Sequence, residues 1–455
     1  MNKLLPLLGA ALLSGCSLIP DYLRPAAPVP DAWPGHAAVA PAPSFLEDWR
    51  AYFVDAQVQA LIAAALEHNR DLRIALARVD EARALAGIAR ADRFPTLDVN
   101  LQQQAARVPG GLNASGDATL TRRYDGNLGV AAFELDFWGR VKSLDAAAQA
   151  GFLASEYAQR AFRLSLIADV ASAYYTLVEL DSRLTLAEAT LQSRGESRQL
   201  VERRRDAGLA NDLDFLAADG AWQNARAEVA SLGRQRAAAA NALRLLVGSE
   251  VAVAPAPTFP VLPELAVGLP SEVLLQRPDV LAAEQRLIAA NANIGAARAA
   301  FFPKIALTVL AGSASPALAG LFGGGSEAWS FVPLLKWPLF DGGRTAANED
   351  LAAARQVVAV AEYEKTLQQA FREVADLLAA RTHYAGQAEA LAAAESAQAE
   401  RLKRVEARYR VGVSSYLELL DAQRELFAAQ QAVLAARRAQ AATAAALFKA
   451  LGGAG

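Results

Sequence analysis

The sequence repeats itself, and that duplication limits the fold more than any other feature. Arg90 to Pro95 (RADRFP) answers Arg298 to Pro303 (RAAFFP), and Trp138-Gly139-Arg140 answers Gly342-Gly343-Arg344. Further on, Asp206-Ala207-Gly208-Leu209 with Leu213-Asp214 answers Val411-Gly412-Val413 with Leu417-Glu418. Leu246-Val247-Gly248 then answers Ala450-Leu451-Gly452. The offset is 208 before the Pro-containing segment and 204 after it, so the copies differ by one short change of loop length. Four ordered matches at nearly one spacing predict two copies, over 46–250 and 268–455, joined by a Pro-rich linker at 251–267.

Each copy carries the same plan. A helix (Asp48 to Arg90, or Leu269 to Ala300) leads into Phe-Pro, and two β segments separated by a Gly-rich loop follow. The strands are expected near 95–106 and 123–137, and again near 303–313 and 328–340. A very long helical stretch then runs from Arg140 to Asp206 or Arg344 to Arg410, turns at Gly208 or Gly412, and returns. At 1.5 Å per residue such a stretch reaches roughly 100 Å, far beyond what a globular core accommodates. Leu164, Ala171 and Val178 recur at seven, with Ile167 and Tyr174 beside them; Leu420, Phe427 and Leu434 do the same in the second copy. Seams of this kind call for partner helices.

Between Pro95 and Ala105 the residues alternate. Leu97, Val99 and Leu101 fall on one face; Asp98, Asn100, Gln102 and Gln104 fall on the other. Ile305, Leu307 and Val309 repeat the apolar face, with Lys304 and Thr308 opposite. This is the dyad pattern of an outer-membrane strand, apolar towards lipid and polar towards a water-filled lumen. Tyr124, Phe133, Trp138, Trp329, Phe331 and Trp337 are candidates for aromatic girdles at the membrane interfaces. After the first 15 residues no stretch reaches the roughly 18 apolar residues of a spanning helix, so any crossing must be a closed barrel. Two hairpins supply only four strands, fewer than the roughly eight of the smallest barrels. Strands and helices alike therefore demand an oligomer, and three chains would supply twelve strands.

Several function classes drop out. The net charge is −3 and no Lys/Arg run suggests a nucleic-acid partner. His36, His68 and His383 are scattered, Met1 is the sole methionine and Cys16 the sole cysteine, which leaves no basis for a soft-metal site. Gly320 to Gly325 lacks a following Gly-Lys-Ser/Thr and reads as a loop between strands rather than a phosphate cradle. No Ser/His/Asp constellation appears, so the chain is expected to be no enzyme and to need no cofactor.

Lys3 and the apolar run Leu4 to Leu13 read as an export signal over 1–15. Leu13-Ser14-Gly15-Cys16 resembles a bacterial lipobox, which implies diacylglycerol and N-acyl groups on Cys16. Residues 16–45, rich in Pro, are then an acylated, extended tether.

The whole mature chain resembles the TolC-like outer-membrane factors, nearest their OprM-like, NodT-type lipoprotein branch. The residues that carry the resemblance are Tyr409 to Gly412, Tyr416 to Arg424, Pro338 to Arg344 and Gln276 to Val280. It implies a mixed α and β membrane protein: a homotrimer with a twelve-stranded transmembrane β-barrel continuous with a long periplasmic α-helical barrel, and an equatorial region of shorter segments. The implied role is the exit duct of a tripartite efflux pump for drugs or other toxic solutes. It would be lipid-anchored in the outer membrane and extend into the periplasm, served by a periplasmic adaptor and an inner-membrane RND-type pump. The resemblance puts adaptor docking at Gly208, Leu209, Gly412 and Val413. It puts a resting gate at Leu417, Glu418 and Asp421, with Tyr409 as a latch residue. Ser414 stands where relatives carry Arg, which leaves Arg203 or Arg205 as partners for Tyr409. The alternatives are a type I protein-secretion duct and a coiled-coil periplasmic lipoprotein without a pore.

Overall fold

A computed structural model of the chain describes residues 17–34, 49–114, 116–250, 259 and 271–453. Cys16, the segment 1–15 and, Phe259 apart, the linker 251–267 lie outside the described residues. The elements in chain order are α1 (Trp49–Tyr52), α2 (Ala56–His68), α3 (Arg70–Ala91), β1 (Asp98–Val108), β2 (Thr119–Glu134), α4 (Arg140–Asp206) and α5 (Asp212–Val247). They are followed by α6 (Pro278–Ala299), β3 (Lys304–Ser315), β4 (Glu327–Lys336), α7 (Arg344–Arg410) and α8 (Tyr416–Ala450). The order helix, two strands, long helix, returning helix thus occurs twice, and α4 and α7 each contain 67 residues.

The first helical stretch is broken where one continuous helix was expected. Asp55 caps α2 by accepting from the amides of Gln57 and Val58, as a short acceptor does when it ends one helix and starts the next. Asn69 then interrupts the run at an extended backbone (φ −61, ψ 129). Its side chain accepts from the Leu72 amide at 2.7 Å and donates to the Leu246 carbonyl at 2.8 Å. A buried Asn that satisfies two backbone groups outweighs one more helical turn. In the second copy the helix begins at Pro278, the first helical position, where a missing amide costs nothing.

The described residues form two compact units. One takes in Arg78–Glu156, Ala282–Glu364 and the N-terminal segment through Ala26. It holds a single antiparallel sheet in the order β1-β2-β3-β4. Residues 17–26 are extended, and they are fastened down: Arg24 forms a two-bonded pair with the buried Glu284 (2.6 and 2.8 Å), Tyr22 donates to the same carboxylate, and Asn291 donates to the Pro20 carbonyl.

The other unit takes in Ala27–Ala77, Tyr157–Leu281 and Lys365–Gly455. Its core includes Leu164, Ile167, Ala171, Tyr174 and Val178, each under 5% exposed, so the first predicted seam is buried. In α8 the buried positions include Leu419, Ala422, Val433 and Ala436, while Leu420, Phe427 and Leu434 are half-buried. The second seam is therefore only part covered within one chain. Arg277 is buried between Asp279 and Glu373 and donates to the Ala450 carbonyl at 2.6 Å, tying the entry of α6 to α7 and the end of α8.

Candidate functional site

The sheet has two chemically distinct faces, and the pairing register assigns every side chain to one of them. Val99 pairs Leu128, which pairs Ala311, which pairs Trp329; Leu101, Gly126 and Ser313 form the next rung on the same side. Val309 and Phe331 join that face, which is apolar on all four strands at the Val99 rung and carries Ser313 and Glu327 at the next. Asn100, Gln102, Asn127, Asp125 and Thr308 lie on the other. Val99, Leu101, Trp329 and Phe331 are 58 to 80% exposed, so most of the apolar side is left uncovered by the described residues.

Local chemistry explains the strand limits. β1 starts at Asp98, three residues after Pro95, whose missing amide keeps it out of the ladder. β2 carries a bulge between Val130 and Phe133, where Ala132 adopts φ 51 and its amide donates to Thr308 Oγ1. A bulge of this kind adds twist and bends the strand. β4 stops at Lys336 because Trp337 turns out of the ladder, its indole donating to the Phe301 carbonyl at 3.1 Å. Trp138, beyond the end of β2, likewise donates to a backbone carbonyl, that of Pro303, at 3.0 Å and stacks on Phe302. β1 and β4 are the sheet's edges and have no partner on their outer sides among the described residues. Pro333 lies in β4, the kind of strand in which a sheet tolerates it.

The two long hairpins turn in the same way. At the first, the amide of Leu209 reaches the Arg204 carbonyl and that of Gly208 reaches Arg205; at the second, Val413 reaches Arg408 and Gly412 reaches Tyr409. Both are Schellman closures, which need a left-handed residue after the helix. Gly208 (φ 74) and Gly412 (φ 78) supply it. Asn211 and Ser415 then cap the returning helices by accepting from Asp214 and Glu418. The residue after each glycine packs back on an apolar helix residue in many such motifs. Here that helix residue is Arg204 or Arg408, and Leu209 and Val413 stay 78% and 65% exposed.

The expected gate residues divide by environment. Leu417 is exposed, as is Glu418. Asp421 is held from both sides, by Arg401 on α7 at 2.6 Å and Arg424 on α8 at 2.7 Å, and Arg424 also meets Glu425. Asp421 is thus the acid of a charge-balanced cluster, not a lone carboxylate. Tyr409 packs on Tyr416 (ring centroids 5.9 Å) within an apolar group that includes Val201, Ala218 and Leu419. Burial, and then neighbouring Tyr409, push the Tyr416 phenol up to about 12, so it is neutral at physiological pH. The cation over the Tyr409 ring is Arg204, at 5.0 Å, rather than Arg203 or Arg205. Arg203 turns back to the Gln199 carbonyl, and Arg205 binds Asp206 and lies over Phe215. Spacing could not separate three consecutive arginines; the helical phase of α4 does.

One neighbouring feature was not visible in the sequence. A cavity of about 530 Å³ opens beside the small residues Ala217, Gly220, Ala221 and Ala225, with Arg194 and Arg424 on its wall. Arg194 donates to the Ala221 carbonyl, its Nε has no partner, and burial lowers its pKa. Among the described residues no helix is long and apolar enough to cross a membrane, and no group of three or more His, Cys, Asp or Glu could hold a metal.

Comparison with known proteins adds the context. The profile of the family described as "Outer membrane efflux protein" matches residues 61–249 and 269–453. The chain is 45% identical to the outer membrane protein OprJ of Pseudomonas aeruginosa over 98% of its own length and 95% of that protein's. It is 44% identical to the solvent efflux pump outer membrane protein SrpC of Pseudomonas putida, covering 99% and 98%. It superposes on the open state of the MtrE outer membrane channel of Neisseria gonorrhoeae with a TM-score of 0.86 at 37% identity, covering 96% of this chain and 98% of that one.

Proposed function

This chain belongs to the outer membrane efflux protein family and is an outer-membrane efflux channel, a duct rather than an enzyme, and we propose how it builds and closes that duct. Three copies join β4 of one to β1 of the next, giving a twelve-stranded barrel with the apolar face on lipid and the Asn100 face on water. The observation that carries this reading is the two-faced sheet with both edge strands open. Long open edges are otherwise an aggregation hazard, and barrel closure removes them. The half-covered seam Leu420, Phe427 and Leu434 is completed by neighbouring helices in an α-helical barrel that extends into the periplasm.

The duct serves a tripartite pump, with an inner-membrane RND-type transporter as the energy source and a periplasmic adaptor between them. Leu209 and Val413, exposed on otherwise closed turns, are the adaptor-docking residues together with Gly208 and Gly412. The solutes are drugs or other toxic small molecules, a reading supported by the solvent named for the SrpC pump. Leu417, Glu418 and Asp421 form threefold rings that narrow the resting tip. An apolar ring dewets such a constriction and an acidic ring selects cations. Cys16 bears the acyl anchor, and Cys16→Ser is expected to abolish palmitate incorporation without releasing a soluble protein. Undiminished labelling would remove the anchor from this account.

The assembly is tested by cysteine pairs placed on β1 and β4. Oxidation of membrane-embedded protein is expected to give covalent dimer and trimer bands. Monomer bands alone, with no discrete conductance in planar bilayers, would favour the coiled-coil lipoprotein without a pore. An ABC exporter encoded beside the gene, in place of an adaptor and RND-type pump, would favour the protein-secretion duct.

A further inference from the structure

The loop between β3 and β4 does not stand off the sheet end; it folds down along the apolar face. Leu321 lies in this loop yet is 4% exposed. The space it fills is above Gly126: a Cβ there would meet Leu321 Cδ2 at 3.5 Å and Leu101 Cδ2 at 3.1 Å. Because Gly126 is the direct partner of Leu101, that space is on the Val99, Leu101 and Trp329 side. The fold-back is held by its own hydrogen bonds. Ser326 Oγ lies within hydrogen-bond distance of the carbonyls of Gly323 (2.7 Å) and Leu321 (3.0 Å), either of which can accept its one proton, and meets Ser313 Oγ at 2.9 Å. Gly323 and Ser326 amides close two successive turns on Gly320 and Gly323.

The register fixes the level at which the loop rests. Trp329 stands on the rung of Ala311 and Leu128, Gly126 on the next rung towards the loop, and Tyr124 on the one after. Leu321 therefore seats between the two aromatic rungs that the membrane reading makes the outer interface. From this seat Phe322 and Leu318 project 86% and 65% exposed. A loop lying over an apolar, aromatic-edged face presents large apolar groups to whatever that face contacts. Aromatic side chains at this depth take up positions at the headgroup level.

We propose that Leu318 and Phe322 are an outer-leaflet anchor, a lipid-contacting patch built from a loop and clipped to the barrel wall by Leu321 in the Gly126 notch. The partner is the boundary between acyl chains and headgroups, and the patch extends the apolar face of the strands. This inference rests on the barrel reading given above.

A nitroxide placed singly at Phe322, Leu318, Val99 or Asn100, with Cys16 replaced by Ser, tests it in reconstituted trimers. The readout is accessibility to oxygen, which partitions into lipid, against a water-soluble nickel chelate. Val99 reports the lipid face and Asn100 the lumen, independently of the loop. The expected result is an oxygen-to-nickel ratio at Phe322 and Leu318 several-fold above that at Asn100 and close to that at Val99. In Gly126→Val, which fills the notch, the Phe322 ratio should fall towards that of Asn100 while Val99 stays unchanged. A water-like ratio at Phe322 with Val99 in lipid would overturn the anchor and leave the barrel standing. Low accessibility to both reagents at Phe322 would mean a protein contact, and would also overturn it. A water-like Val99 would remove the barrel reading, and the anchor with it.

Discussion

The first and second hairpin tips are closed by the same backbone and carry their ion pairs at different positions. Both use a Schellman turn, a left-handed glycine and a polar cap, at positions 204 residues apart. Leu213 in the first corresponds to Leu417 in the second, and both are more than 70% exposed. The charge cluster is not shared. Arg401, Asp421 and Arg424 of the second hairpin correspond to Ser197, Ala217 and Gly220 of the first. There the ion pair is Arg198 with Asp219, at 2.6 Å, at positions matched by Leu402 and Gln423. The turn is the same in both hairpins because a Schellman closure depends on glycine at one position. Exposed side chains around it were free to diverge. Asp421 stands where the first hairpin has Ala217, whereas both hairpins carry an acid after the exposed leucine, Asp214 in the first and Glu418 in the second.

If the copies are alike in the sheet and differ at the tip, substitutions should separate along that line. The largest stability effect is expected in the strands of both copies. Val99→Arg and Leu307→Arg each put a charge on the lipid face, at a cost of about 2–4 kcal/mol per chain at the bilayer midplane and about 0–1 near the interfaces, and should reduce assembled trimer on a heat-modifiability gel. Asn100→Arg, on the polar face, should assemble and change conductance alone. Equal tolerance on the two faces would break the barrel reading.

A smaller effect, again shared, is expected at the turns. Nothing lies within 4 Å of a Cβ added at Gly208 or Gly412, so replacement by Ala costs only the left-handed backbone, about 1–2 kcal/mol. Both variants should lower the thermal midpoint by similar amounts, and unequal shifts would show that one tip carries further constraints. The smallest stability effect is expected for Asp421→Ala. Its two arginine pairs are more than a third exposed, and such pairs contribute about 0–1 kcal/mol. Its consequence should be functional: it removes an acid and leaves Arg401 without its carboxylate partner, and so weakens cation preference, as Glu418→Ala does.

Much of this molecule was legible in the sequence. The alternation at Leu97, Val99 and Leu101 marks β1, since a two-residue period has no helical reading, and Gly208 and Gly412 mark the turns. The interruption at Asn69 was not legible, because it depends on a bond to Leu246 that lies 177 residues away. The face of α8 that is buried within one chain was not legible either. Leu419 and Leu420 are both apolar, and packing with Val201 and Ala218 buries Leu419 while Leu420 stays half-covered. The pairing of Asp421 with Arg401 was also hidden, since it joins two helices through a turn, at a separation of 20 residues. The seat of Leu321 depends on a glycine in another strand, which no local pattern announces.

Single-channel recording tests the central claim, that one hairpin of the pair closes the duct. Wild type, Leu417→Ala/Asp421→Ala and the first-tip counterpart Leu213→Ala would be purified as trimers and compared in planar bilayers under one salt gradient. The account predicts higher conductance and weaker cation preference for the double variant, with Leu213→Ala close to wild type. A double variant that conducts and selects like wild type, or a Leu213→Ala channel that opens as far, would contradict it.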